Sequence, residues 1–474
     1  MRFPGAGLAL KHPLLLPGLL ALAMTTPASE PSAASAASAS TPASASAQRH
    51  RALDRELAAI VADPAHPLAS LSVLALRNGH TVYARGFGQR TIDNDDPQKG
   101  RPAGRDTLYR IASISKLVTT LGVLRLVETG KLELDRDIGD YLGYPVRNPH
   151  FPDAPVTLRM LLTHTSSLRD DGGYYWEAKR GVDLRDVLTP GGAQYGEGKM
   201  WASNARPGSY FHYANFPWGV IGTVMESATG ERFDRLMRQL VLAPLGLRGG
   251  FEPAEFAPGV LAQVATLYRK RTEVGDKETW NTAGPWVAQV DDYVHAAPVP
   301  RALPGYVPGT NGTLFGPQGN CRLSADGLAT IMRMLLREGR HRGRAFLKPA
   351  TVREMLRTQW HWDGTGANGT ADFGSHRESM LEWGLGNQHF LDRSGTGTGD
   401  RLVEGGGFAG KGHTGDAWGL RAAFVLDPAR KDGLIVLIGG HGFDPETHPG
   451  TWSSFFRHEE QIFTAVHRRV LRRR

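Results

Sequence analysis

The sequence predicts an α+β fold, an antiparallel sheet flanked by helices with a mainly helical domain inserted between its strands. Three observations predict it. Strand patterns sit near both ends of the folded region, and the long middle reads as helices and loops. The 474 residues are 41% hydrophobic and 22% charged, enough apolar material for one large core or two intimate ones. Disorder and a fibrous class are excluded for the bulk of the chain. The 58 Gly and 30 Pro show no triplet period, and a single Cys cannot build a disulfide framework or a thiolate metal cluster.

The elements follow in order. Arg2 and Lys11 precede the apolar run Leu14–Met24, and small residues come next, which is the layout of a secretory signal over residues 1–28. Residues 29–50 are mostly Ala, Ser, Thr and Pro and are expected to be a disordered linker; the folded domain is expected over 51–474. Leu71–Leu76, then Asn78-Gly79, then Thr81–Ala84 reads as a hairpin with an Asn-Gly turn. Helices are expected at Leu117–Glu128, Leu158–Leu162, Pro217–Ala228 and Gly327–Glu338, the last opened by Ser324 and stopped by Gly339. Apolar runs at Leu420–Leu426 and Leu434–Ile438 form a second strand pair that shares a sheet with the first, and Trp452–Leu471 is expected as a closing helix. The net charge of +8 is scattered except at the arginine-rich end, His467–Arg474. No basic face alternates with exposed aromatics, so no nucleic-acid partner is expected; weak attraction of the basic tail to an anionic envelope surface is. The protein is expected to be periplasmic or secreted and not integral to a membrane.

Three short motifs carry chemistry. Ser113-Ile114-Ser115-Lys116 is the only S-x-x-K, placed where a helix begins, so Ser113 and Lys116 point the same way. A lysine desolvated at the base of a pocket can take the serine proton; the same tetrapeptide also suits a serine cap before an ordinary helix. Tyr213-Ala214-Asn215 is the only Y-x-N. A tyrosine beside a nucleophile can relay its proton and the asparagine can bind lysine and substrate, although Asn215 with Pro217 also reads as a helix start. His413-Thr414-Gly415 leads into a strand whose edge can bind a substrate backbone, with the next amide as an oxyanion donor. Gly405–Lys411 imitates a phosphate loop but runs toward a strand, not a helix.

In that order the three motifs, with Tyr109–Lys116, Leu161–Leu168, Pro207–Gly222, Ala243–Leu247 and Trp383–Gly386, make the chain resemble a known group. It is similar to the serine β-lactamase and penicillin-binding protein superfamily, nearest to its class C β-lactamase, D,D-peptidase and family VIII esterase branch. The resemblance implies a β-lactamase/transpeptidase-like fold and an exported serine hydrolase that acts by an acyl-enzyme, with no cofactor and no metal. It implies Ser113 as nucleophile, Lys116 and Tyr213 as proton-transfer pair, and Asn215, His413, Thr414 and Gly415 as substrate-binding residues. The backbone amides of Ser113 and Asp416 would form the oxyanion hole. Two departures stand out: His413 replaces the usual Lys, weakening a cation for substrate carboxylates, and Asp416 replaces a small residue and would repel anions. They favour a small-molecule or peptide substrate with an ester, amide or D-amino-acid peptide carbonyl over a β-lactam, with a β-lactamase and a non-catalytic cell-wall-peptide or protein binder as the alternatives. His164 is expected to be structural, residues 266–320 with Trp280, Trp286 and Tyr293 to wall the pocket or pack on their own domain, and Cys321 to be a buried thiol.

Overall fold

The computed structural model describes residues 42–174, 181–274, 277–302 and 304–472. The signal-like segment 1–28 lies outside the described residues. From Ser46 to the C-terminal end the chain is one compact unit, and of the preceding unit only residues 42–45 are described, as the start of a helix.

That helix, α1 (Pro42–Val61), corrects the end of the expected linker over 29–50, because it opens nine residues before the folded region was expected to begin at 51. Pro42 sits where a helix tolerates proline, and the Ala/Ser stretch after it has no breaker. Leu53, Leu57 and Val61, spaced by one turn, are buried and anchor it.

Strands β1 (Ser70–Arg77) and β2 (His80–Thr91) form the expected hairpin, with Asn78 and Gly79 at φ 51° and 75°, the left-handed pair of a tight two-residue turn. A short β3 (Arg101–Pro102) follows, then β4 (Tyr109–Arg110) and the helices α2 (Ile114–Glu128), α3 (Leu158–Leu162) and α4 (Phe216–Thr229). Strand β5 (Arg322–Leu323) pairs with β4 and leads into α5 (Ala325–Leu336), whose N-terminal Gly327 amide donates to Ser324 Oγ at 3.1 Å. The chain then adds β6 (Trp360–His361), β7 (Glu382–Trp383), β8 (Gln388–Phe390), β9 (Gly410–Ala417), β10 (Leu420–Asp427), β11 (Asp432–Ile438) and α6 (Arg457–Val466).

The first and last strands close one nine-stranded sheet in the order β6-β7-β8-β9-β10-β11-β1-β2-β3, with antiparallel pairing throughout. The pairing of β1 with β11 joins the chain's two ends, as the strand patterns predicted. Alternation sorts the side chains: Leu74, Leu76, Ile435 and Leu437 pack with α2, α4 and α5, while Leu71, Val73, Val436 and Ile438 pack with α1 and α6. Both faces are covered, which is why these strands read as unbroken apolar runs.

The closing helix is shorter than expected at its start. Residues 452–456 wrap around buried Glu460, whose carboxylate accepts from the Thr451 and Trp452 amides and the Ser453 hydroxyl at 2.8–3.1 Å. At its other end α6 runs on through His467–Leu471, and Arg468 and Arg469 pair with Glu56 of α1. The arginine-rich end is thus a solvated helix end, with two of its arginines paired to Glu56. Among the described residues no helix is long and apolar enough to cross a membrane.

Candidate active site

The site is built at the first turn of α2. Ile111 donates its amide to Cys321 O at 2.9 Å, and Ala112 is then forced to φ 45°, a left-handed value for a residue with a Cβ. Ser113 follows at φ −66° and ψ −11°, with three successive tight bonds (Ile114 N to Ile111 O, Ser115 N to Ala112 O, Lys116 N to Ser113 O) launching the helix. Except at Arg125, Val127 and Glu128 the helix is buried on every side, with the polar Ser115, Lys116, Thr119 and Thr120 buried among its apolar residues.

Lys116 is fully buried, and its Nζ donates to Ser113 Oγ at 3.0 Å, to Asn215 Oδ1 at 2.8 Å and to Gln318 O at 3.3 Å. Burial lowers its pKa to about 7, with Asp170 opposing part of that effect. Near neutral pH the amine is therefore a proton acceptor for a good fraction of the time. Asn215 stands at the N-cap position of α4 with Pro217 in the first turn as expected, but its side chain makes no capping bond and serves Lys116 and Asp170 instead. Tyr213 is buried with its ring centroid 4.8 Å from Lys116 Nζ. Burial pushes the phenol well above its usual value, only partly offset by its hydrogen bond with Ser113. The phenol is a neutral group beside the hydroxyl, suited to pass a proton on, while the lysine is the group tuned to accept one.

Asp170 was not singled out from the sequence. Its carboxylate accepts from the Asn215 amide at 2.8 and 2.9 Å, from Asn215 Nδ2 at 3.0 Å and from the Phe216 amide at 2.8 Å. A carboxylate at the start of α4 is favoured by the helix dipole, and by taking Nδ2 it turns Oδ1 of Asn215 toward Lys116. Its position just after Leu161–Leu168 was the available signal. Gln318 was also missed: its carbonyl binds Lys116, and Pro317 O accepts from Thr119 Oγ1 at 3.0 Å, so residues 317–321 are a second rail along α2.

The third motif lies on β9. Gly415 pairs with Ala422, and a Cβ there would stand 2.6 Å from Ile111 O, so only glycine lets this strand approach the turn that carries Ser113. Trp418 and Gly419 both have positive φ in the β9–β10 turn, which makes Ala417 and Leu420 the hydrogen-bonded pair. Asp416 and Thr414 then fall in the other register and aim their amides off the strand edge, which β8 covers only as far as Gly412. The Asp416 amide is thereby a donor facing away from β10, as an oxyanion donor must be.

His413 differs from expectation in degree. It is buried, its Nδ1 bonds Thr414 O at 2.6 Å, and burial together with the nearby Lys116 drives its pKa to about 3. It is an uncharged side chain, not a weakened cation. Asp416 needs a correction of another kind: its carboxylate pairs with Arg421 at 2.8 Å, and Arg421 also holds Glu459 at 3.0 Å. That guanidinium, shared with Glu459, draws the Asp416 carboxylate toward itself and weakens the expected repulsion of anions without cancelling it.

His164 is structural as expected. It sits at φ 55°, accepts from the Ala214 amide at 3.2 Å through Nδ1, and packs 4.5 Å from the Tyr213 ring. Burial holds its pKa well below the usual value. The wall beside Tyr213 is formed by Phe211, Trp360, Phe373, Met380 and Trp383, with Phe211 and Trp360 stacked at 4.1 Å. Of the loop 266–320, Trp286 packs on Lys270, Trp280 on Arg269, and Tyr293 donates to Asp291, the partner of Arg322. Those aromatics serve their own domain. Cys321 is a buried thiol whose pKa burial raises, and Gly405–Lys411 runs into β9, which removes the phosphate-loop reading. Among the described residues no group of three or more His, Cys, Asp or Glu is placed to hold a metal ion.

Esterase EstB of Burkholderia gladioli is 34% identical over 208 residues, 40% of this chain and 50% of that one. The chain spans about half the length of the curated relatives it matches. Among solved structures, simvastatin synthase (LovD) from Aspergillus terreus superposes with a TM-score of 0.58 at 19% identity, over 90% of this chain and 97% of that one. A β-lactamase/D-alanine carboxypeptidase from Yersinia pestis does so with 0.57 at 15% identity, over 91% and 99%. These two likenesses establish the β-lactamase/transpeptidase fold. Because the family model described as Beta-lactamase matches residues 53–452, nearly the whole of the described fold, the chain belongs to the Beta-lactamase family.

Proposed function

We propose that the protein is an exported serine hydrolase that forms an acyl-enzyme on Ser113 and prefers esters, amides or D-amino-acid peptides without a carboxylate beside the scissile carbonyl. The observation that carries this reading is the fully buried Lys116, with a pKa near 7 and hydrogen bonds to both Ser113 Oγ and Asn215 Oδ1. The neutral amine takes the Ser113 proton as Oγ attacks the carbonyl carbon, and the C–O or C–N bond breaks as the tetrahedral oxyanion collapses. Tyr213 hands a proton to the leaving group, and water then cleaves the acyl-serine by the reverse transfers. The amides of Ser113 and Asp416 receive the oxyanion. The names of the relatives, an esterase, an acyltransferase and a carboxypeptidase, describe acyl transfers of this kind.

Substrate preference follows from His413 and from the aromatic wall. A buried, uncharged imidazole gives a carboxylate no counter-charge, and half-buried Phe373, backed by the buried Phe211, Trp360 and Trp383, offers apolar surface beside Tyr213. The signal-like residues 1–28 support export. The test is intact-mass spectrometry of the protein exposed to a fluorophosphonate and, separately, to penicillin, with the adduct mapped by digestion. A stoichiometric fluorophosphonate adduct on Ser113 and no lasting penicillin adduct is expected. No adduct on folded protein overturns the hydrolase in favour of a binding protein, and rapid turnover of penicillin overturns the preference.

A further inference from the structure

On the face of the sheet covered by α1 and α6, opposite α2, two histidines meet through the same nitrogen. His66, between α1 and β1, and His448, just before α6, place their Nε2 atoms 2.6 Å apart. The other nitrogen of each ring is committed. His66 Nδ1 lies 3.0 Å from Asp63 Oδ2, an acceptor, and the hydrogen bonds from His66 and the Ala65 amide hold Asp63 below the usual carboxylate range. His448 Nδ1 lies 2.8 Å from Thr447 Oγ1, whose own proton goes to Asp444 O at 2.7 Å, so toward the imidazole this hydroxyl accepts. Both Nδ1 atoms therefore carry the hydrogen in the neutral rings, and the two unprotonated Nε2 atoms lie side by side, the rings meeting edge-on with centroids 4.0 Å apart. Such a contact needs a cation shared by the nitrogens, either a proton, which Asp63 would balance, or a metal ion.

The surroundings fit a metal. A carboxylate behind the distal nitrogen is the arrangement that fixes the tautomer of a ligating histidine and raises its basicity. Phe443 braces both rings, with centroids at 5.0 and 5.3 Å, and both histidines line an open cavity of about 1290 Å³ that admits an ion and its waters. Nitrogens sharing one ion at about 2.0–2.1 Å stand roughly 3 Å apart, so the rings need to separate by only about half an ångström. Both residues sit on loops, where that adjustment is cheap.

We propose that His66 and His448 form a two-imidazole site for an imidazole-preferring divalent transition metal, Cu²⁺, Ni²⁺ or Zn²⁺, with Asp63 orienting His66. No third protein ligand stands with them among the described residues, so the remaining positions belong to water or a small anion from the cavity. A bound ion ties the loop after α1 to the segment before α6, linking the two ends of the folded chain. The site is independent of the Ser113 chemistry.

The test uses tag-free full-length protein stripped with a chelator and titrated with Cu²⁺, the strongest binder of that series. Calorimetry gives the affinity and electron paramagnetic resonance counts the coordinating imidazole nitrogens. One Cu²⁺ per chain with two imidazole nitrogens is expected. His66→Gln and His448→Gln should each weaken binding at least about tenfold, and Asp63→Asn about ten- to a hundredfold, in variants whose circular dichroism matches the parent. No Cu²⁺ uptake, fewer than two imidazole nitrogens in the parent protein, or unchanged affinity in the folded variants would overturn the site. The spectrum of the parent decides the matter even where a variant fails to fold.

Discussion

Two buried bases stand near one another, Lys116 at the start of α2 and His413 on β9, and burial leaves them in different charge states. Burial brings Lys116 down from the ordinary lysine range to about 7, with the carboxylate of Asp170 opposing part of the fall, while its Nζ bonds three acceptors from three segments. His413 has one carbonyl partner and no facing carboxylate, and it falls to about 3. The comparison teaches that the same burial brings an amine into the working range and drives an imidazole out of it, so residue type decides which of the two bases titrates near neutral pH. The site has one working titration, and it belongs to the lysine.

The largest expected effect comes from cutting the tuned side of this comparison. Ser113→Ala should lower turnover by at least about 10⁴-fold, and Lys116→Ala by about 10²–10⁴-fold, measured as kcat/KM on a short-chain ester. The pH profile comes next. Because the working form of Lys116 is the neutral amine and its pKa is lowered, kcat/KM should fall about tenfold per unit below pH 7 and level off above it. A flat profile between pH 5 and about 8 would break the assignment of Lys116 as the base.

Asp170→Asn should cost about ten- to a hundredfold in kcat, since it frees the amides at the start of α4 and lets Asn215 turn away from Lys116. It should also move the acidic limb of the profile downward, because the carboxylate that raises the lysine pKa is gone. A loss of activity with an unmoved limb would mean that Asp170 only supports the fold. His413→Lys sharpens the other side. A cation there should improve the ratio of carboxylate-bearing to neutral substrates by about tenfold, and an unchanged ratio would refute the electrostatic account of preference. Asp416→Ala is the smallest, within about twofold, because its role is carried by a backbone amide and Arg421 keeps Glu459 as a partner.

Much of the fold was legible because period and turn chemistry are local. The Asn78-Gly79 hairpin, the β10 and β11 runs and the cores of α2, α3, α4 and α5 lie where the pattern put them. The misses are where a distant group decided the outcome. Residues 452–456 left the closing helix to satisfy Glu460, and α1 is anchored by leucines whose burial partners lie far along the chain. At the site, Ser113, Lys116, Tyr213 and Asn215 converge as their motifs implied, while Asp170 and Gln318 gave no comparable signal. An aspartate before two glycines looks like a turn until the helix start that it binds is in place.

By itself, then, the sequence determined the elements, their pairing at the two ends of the chain, and the residue types that the chemistry needs. These depend on side-chain periodicity and on motifs of a few residues, which neighbours in the chain carry. Only the tertiary structure decided the charge states and the partners. The neutral His413, the tuned Lys116, the Asp416–Arg421 pair and the facing nitrogens of His66 and His448 each depend on groups brought together from far apart in the chain. A pKa and a tautomer are set by the dielectric and the acceptors within a few ångströms, and those exist only once the chain has folded.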